Sequence, residues 1–180
     1  MGVPRKGFHV TKTMVTVFWD HLGVVHHEYM PRGQTITASS YCEVLDRVQD
    51  AIRAKRPWLL EGGCRVILQQ DNARPHTAKL TKEKINQLGW ELLPHPPYSP
   101  DLAPSDYHLF LAMSNSQMGT KFADDDAAKR HVENFFQLKD IDGVGEANFY
   151  HRGIWKLPFG WQQCIAANGE YFDVSKKTTS

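Results

Sequence analysis

The apolar positions fall first into strand-like runs and then switch to a helical period. Thr13 to Trp19 (TMVTVFW) and Gly23 to Tyr29 (GVVHHEY) are rich in β-branched and aromatic residues, with Asp20-His21-Leu22-Gly23 between them, so they predict a β-hairpin. Pro31-Arg32-Gly33 ends it. Tyr41, Val44, Leu45, Val48 and Ile52 then recur on one helical face until Pro57, and Ser40-Tyr41-Cys42-Glu43 fits an S-x-x-E capping box at the start. Behind the breaker Gly62-Gly63, Cys64 to Gln70 predicts a short buried strand, followed by a helix from about Pro75 to Leu88 that Gly89 closes. Trp90 to Leu93 predicts one more short strand.

A segment with five prolines between Pro94 and Pro104 delivers the chain to Asp106, which opens a helix-like run from Tyr107 to Met113 with Ser105 as its N-cap. Asp124-Asp125-Asp126 marks another helix start, and Ala128, His131, Val132, Phe135 and Phe136 supply its apolar face. Phe149 to Asn168 reads as helix interrupted near Leu157-Pro158, with Trp155, Trp161 and Ile165 expected in the core and Gly169 as a stop. This order of elements predicts an α/β fold. Residues 1–12 form a basic leader, residues 13–173 one domain and residues 174–180 a disordered tail.

Composition narrows the class. With 41% hydrophobic and 23% charged residues, the chain has the balance of a globular protein, and no apolar stretch approaches the ~20 residues of a membrane span. No signal-peptide core is present, so the expected location is intracellular. Cys42, Cys64 and Cys164 are scattered and odd in number, which indicates buried thiols rather than a disulfide framework or a zinc cluster. A net charge of +1 argues against tight duplex binding by phosphate neutralisation alone. Lys79, Lys82 and Lys84 read as a solvated helix face, as do Arg152 and Lys156 later in the chain.

Candidate chemistry centres on Asp71 in QQDNARPHT and Asp106 in PPYSPDLAPSDYHLF, with 34 residues between them. A strand end and a helix start can meet at one edge of an α/β sheet. Carboxylates converging there repel unless a cation neutralises them, and hard oxygen ligands without a nearby cysteine suit Mg²⁺ or Mn²⁺ rather than zinc. His76 and His95 lie close to the two aspartates and read as polar contacts ordering the DNARPHT and PHPPYSP loops. His26 and His27 alternate across a strand and cannot chelate together.

The blocks QQDNARPHT, LGWELLPHPPYSPDLAPSDYHLF, FYHRGIWKLPFGW and NGEYFD together resemble the catalytic domain of a mariner-family (Tc1/mariner) DNA transposase, from about Thr11 to Asp173. The resemblance implies a ribonuclease H-like fold and a site of three aspartates holding Mg²⁺ or Mn²⁺ for cleavage and strand transfer at transposon DNA ends in the nucleus. Asp71 and Asp106 match the second and third of these aspartates. The first lies in a Gly-Asp-Glu strand, and no Gly-Asp-Glu occurs in this sequence. Asp20, at the end of TMVTVFW, matches a later W-W-D-like motif and is assigned to the hairpin turn.

The expectation is therefore an amino-terminally truncated domain lacking its first strand, with a gap between the hairpin and the strand that carries Asp71. Such a chain by itself should cleave DNA poorly or not at all. The alternative is a non-catalytic remnant or a dimerisation module that pairs with itself or with related transposases. Departures from the family pattern are Gln69 in place of histidine, the polar run Ser114 to Gln117, and a small insertion from Ile141 to Ala147.

Overall fold

Val15–Asp20 (β1) and Gly23–Tyr29 (β2) form the expected antiparallel hairpin, whose turn is tightened by the Leu22 N–H donating to the Asp20 carboxylate (2.8 Å). The computed structural model describes residues 13–31, 33–61, 64–142, 145 and 148–169. The leader, the tail, most of NGEYFD and the Gly62-Gly63 breaker lie outside the described residues. A register irregularity between Phe18 and Trp19 sets Phe18 opposite His26 and Trp19 opposite Val24. Because side chains alternate across a strand, the hairpin serves two cores: Phe18 and Val25 on one side, Val15, Val17, Trp19 and Val24 on the other.

The first core is built on Ala38–Lys55 (α1), which buries Tyr41, Val44, Leu45, Val48 and Ile52, the face anticipated from periodicity. The helix begins one turn earlier than expected. Thr37 is the N-cap: its hydroxyl accepts the Ser40 N–H (3.2 Å), and Ser40 Oγ accepts the Thr37 N–H (2.9 Å). Ser40 therefore closes the capping box rather than opening it, which a hydroxyl can do because it both donates and accepts.

Against α1 pack Leu68 of Ile67–Leu68 (β3), Ile85 of Lys79–Gln87 (α3), and Trp90 just before Glu91–Leu92 (β4). Strands β3 and β4 pair in parallel, Ile67 with Glu91 and Leu68 with Leu92. Both are much shorter than the runs Cys64–Gln70 and Trp90–Leu93 suggested. The expected helix from Pro75 to Leu88 is also split: Arg74–Thr77 (α2) stops at Ala78, whose ψ of 147° is extended, and α3 follows. Thr81, fully buried, donates its hydroxyl to the Pro75 carbonyl (2.6 Å) and so takes the place of the helical amide. Gly89, at φ +72°, closes α3 as anticipated.

The second core joins Leu111–Gln117 (α4), Asp125–Asp140 (α5) and Phe149–Trp155 (α6) around Leu109, Met113, Val132, Phe135, Phe136, Phe149 and Tyr150. Asp124 caps α5 by accepting the Ala127 N–H (2.7 Å), and Asn148 caps α6 by accepting the Tyr150 N–H (2.8 Å). Leu157–Ala166 (α7) follows after the break expected at Leu157-Pro158. The expected core placement of Trp155, Trp161 and Ile165 does not hold. Helix α6 turns Phe149, Tyr150 and Gly153 inward, which leaves Trp155 70% exposed, while on α7 Ile165 is 76% exposed and Trp161 half-buried. Of the three cysteines only Cys42 is buried; Cys164 is half-buried and Cys64 exposed.

Among the described residues the four strands form two separate two-stranded sheets, β1 with β2 and β3 with β4. Each of β1 and β3 therefore keeps one edge without a strand partner, and a cavity of about 400 Å³ lies between them, lined by Val17, Phe18 and Trp19 on one wall and Ile67, Leu68 and Gln69 on the other. This is the gap expected of a sheet that lacks a strand between the hairpin and β3. No described helix is long and apolar enough to cross a membrane.

Candidate metal centre

Asp71 lies three residues past Leu68, the last paired position of β3, and is fixed by its own segment. Its Oδ1 accepts the Ala73 N–H (2.9 Å) and the His76 Nδ1–H (2.6 Å). Pro75, in the first turn of α2, sets the short helix that presents His76. The His76 ring lies 4.3 Å from that of Tyr41 between centroids. The Tyr41 hydroxyl donates to Gln70 Oε1 (2.8 Å), and Gln70 Nε2 donates back to the His76 carbonyl (3.0 Å). On the other side Asn72 donates to the His95 carbonyl (2.9 Å), and Gln69 donates to the Leu102 carbonyl (2.8 Å), tying β3 to the proline-rich segment. His76 thus orders its loop as expected, whereas His95 joins through its backbone carbonyl, its ring lying 3.5 Å from Gln69 Nε2.

Asp106 sits differently. Ser105–Phe110 forms a π-helical turn, entered from Pro104 and continued by α4. Ser105 is not the N-cap; its hydroxyl accepts the Trp19 indole N–H from β1 (3.0 Å). The Tyr107 hydroxyl donates to the Gly153 carbonyl (2.8 Å), and His108 Nε2 donates to the Phe149 carbonyl (2.8 Å), since a carbonyl can only accept. Burial pushes the Tyr107 hydroxyl up to about 12, so it stays a donor. Burial also lowers the His108 imidazole, with Lys156, Arg152 and Lys139 acting in the same direction against the Phe149 hydrogen bond.

Both carboxylates reach one space. A cavity of about 250 Å³ is lined by β1, Gln69, Gln70, His76 and His95 together with Asp71 and Asp106, and a second of about 410 Å³ on the proline-rich side again includes both aspartates. Their electrostatics diverge. Burial alone would raise Asp71, but the Ala73 and His76 hydrogen bonds and the charges of His76 and His95 more than offset it, leaving its carboxyl below the ordinary value. Asp106 is raised, first by burial and then by the negative charge of Asp71, with His95 opposing.

Among the described residues, Asp71 Oδ2 and both Asp106 oxygens take no protein hydrogen bond, so hard donors face the cavity uncommitted. Repulsion between the two carboxylates is what a divalent cation would relieve, so the pair fits Mg²⁺ or Mn²⁺. Among the described residues no group of three or more His, Cys, Asp or Glu side chains is placed to hold a metal ion together. Asp20 takes no part. It accepts from Arg56, Nε at 2.8 Å and Nη2 at 3.3 Å, and this half-buried ion pair ties the hairpin turn to the end of α1.

The sequence reading missed Tyr107, His108, Gly153 and Trp19. An isolated glycine inside the helical run FYHRGIW was the available signal, because such a glycine usually marks close packing. A Cβ on Gly153 would run into the His108 ring.

Residues 2–61 match the family described as transposase, partial DDE domain. The Mos1 mariner transposase of Drosophila mauritiana is 40% identical over 162 residues, which is 90% of this chain and 45% of the transposase. The chain thus spans less than half the length of that relative. A structure of the Mos1 transposase catalytic domain with raltegravir and Mg superposes with a TM-score of 0.80 at 39% identity, covering 89% of this chain and 77% of that one. The Mos1 paired-end complex with Mn gives a TM-score of 0.82 at 38% identity, covering 96% of this chain and 48% of that one.

Proposed function

This chain belongs to the mariner family of transposases and has their ribonuclease H-like catalytic fold, and on that premise we propose that Asp71 and Asp106 hold a divalent cation for phosphodiester chemistry at transposon DNA ends. The observation that carries this reading is the convergence of the two carboxylates on one cavity, where burial first and then the charge of Asp71 raise Asp106. Bound there, Mg²⁺ or Mn²⁺ would activate a water or DNA hydroxyl and polarise the phosphate. The chain's own contribution is to hold Asp71 Oδ1 through His76 and Ala73, leaving Oδ2 for the ion, and to present Asp106 from the opposite wall. Mg²⁺ keeps several waters, so two carboxylates supply part of its shell. The site of action under this reading is the nucleus.

Two of the family's three aspartates are present in this sequence, so the 180-residue chain alone should bind Mn²⁺ weakly and nick little or no DNA. Mn²⁺ titration followed by electron paramagnetic resonance tests the site: Asp71→Asn and Asp106→Asn should each abolish binding. Robust Mg²⁺-dependent nicking that disappears in Asp71→Ala would overturn the expected inactivity.

A second reading is favoured by the open edges of β1 and β3. With Ile67 60% exposed and Trp155 70% exposed on the cavity between them, the chain is suited to accept a strand from a second copy or a related transposase. Light scattering across a concentration series tests it. A strictly monomeric species that binds no related transposase counts against it.

A further inference from the structure

Asp106 is bracketed on both sides by residues whose contacts the proposed chemistry does not use. Ser105 before it is tied to β1, while Tyr107 and His108 after it are tied to α6. Neighbouring positions on an α-helix point in different directions, so bringing two of them to one partner favours a widened turn. Here the partner is a single strip. The acceptor carbonyls belong to Phe149 and Gly153, four residues apart and so one turn apart on the same face of α6. The His108 ring stacks on Phe149, with centroids 4.1 Å apart and planes at 29°, and it lies where any side chain at position 153 would have to be.

We propose that Tyr107 and His108 are positioning residues for the Asp106 carboxylate: through two α6 carbonyls they hold the π-helical turn that aims it at Asp71, and Gly153 provides the clearance. The proposal rests on the reading of Asp71 and Asp106 as a cation site. It assigns the second half of the SPDLAPSDYHLF block and the glycine of HRGIW to one device, although the nearest anchoring carbonyl, that of Phe149, lies 43 positions beyond Asp106 and 41 beyond His108. The turn's bonds to α6 are side chain to backbone, so their geometry depends on the fold of α6 and not on its side-chain identities, Gly153 excepted.

Mn²⁺ affinity, read by electron paramagnetic resonance on the full chain, separates positioning from plain packing. Tyr107→Phe removes one hydrogen bond and keeps the ring; His108→Leu removes the other donor; His108→Gln restores a donor near the Nε2 position; Gly153→Ala drives a methyl group into the His108 ring. Tyr107→Phe, His108→Leu and Gly153→Ala should each weaken Mn²⁺ binding about tenfold, the scale of outer-shell effects at metal sites, while His108→Gln stays within about threefold of the parent chain. Thermal unfolding is measured on the same samples, and Tyr107→Phe should keep a cooperative transition. Unchanged Mn²⁺ affinity in Tyr107→Phe and Gly153→Ala, with binding still abolished by Asp106→Asn, would overturn the proposal and leave the cation site standing. Mn²⁺ binding indifferent to both Asp71→Asn and Asp106→Asn would overturn the site itself and the proposal with it.

Discussion

The two aspartates are held in opposite ways. Asp71 is fixed within five residues of itself, by the Ala73 amide and the His76 ring, and its partners are already in the string DNARPH. The Asp106 carboxylate accepts no such local hydrogen bond, although the Asp106 amide donates to the Ala103 carbonyl (2.8 Å). Its turn is fixed by Trp19, Phe149 and Gly153, each more than 40 residues away from the residue that it contacts. One carboxylate is preorganised by sequence and the other by tertiary structure. Damage to the body of the protein should therefore reach Asp106 first.

The largest expected effect tests that asymmetry directly. Leu109, fully buried within the π-helical turn, should lose about 2–5 kcal/mol of stability on truncation to alanine, and Mn²⁺ binding should weaken with it. Ile85→Ala in the first core should cost a similar amount in chemical denaturation yet leave Mn²⁺ affinity at saturating folded fraction close to that of the parent chain. Equal losses of affinity in both variants would erase the distinction between the two halves.

His76→Ala should act next in size, weakening Mn²⁺ binding about tenfold by releasing Asp71 Oδ1, with little change in the unfolding transition. The carboxyl of Asp71 should move up towards the ordinary value near ~4, which nuclear magnetic resonance titration can follow. Acidification gives a graded test of the same pair. Asp106, raised, takes up its proton before an ordinary aspartate does, and Asp71, depressed, holds its charge to lower pH. Cation affinity should therefore begin to fall while Asp71 is still ionised. The stability that the depressed Asp71 contributes is present above its unfolded value and is lost only as pH falls through its lower folded value, whereas protonating Asp106 relieves a penalty. The smallest effect is expected for Asn72→Ala, where loss of the bond to the His95 carbonyl should cost about 0.5–1.5 kcal/mol.

How much of this was legible in the sequence follows the same division. The hairpin, the buried face of α1, the Asp124 cap and the break before α7 were visible because each depends on residues close together in the chain. Asp71 with its histidine was visible for the same reason. The lengths of β3 and β4 were not, because a strand's extent depends on what pairs with it, and among the described residues β3 pairs with β4 alone. The split at Ala78 depends on Thr81 capturing the Pro75 carbonyl, a contact no periodicity announces. Trp155 and Ile165 looked like core because they are apolar, yet which way a helix turns is set by its neighbours, and α6 commits Phe149, Tyr150 and Gly153 instead. The π-helical turn was hidden for the same reason: SDYHLF has an ordinary helical composition, and only its distant acceptors widen it.

The edges of β1 and β3 that have no strand partner among the described residues bear on the life of the polypeptide as much as on its chemistry. An open edge is a template for any extended chain that meets it, including another newly made copy. Solubility should therefore depend on how quickly the slot is filled relative to how often two copies collide. At low abundance the chain can wait for a strand; at high abundance it becomes its own competitor, and the amount made decides between assembly and precipitation.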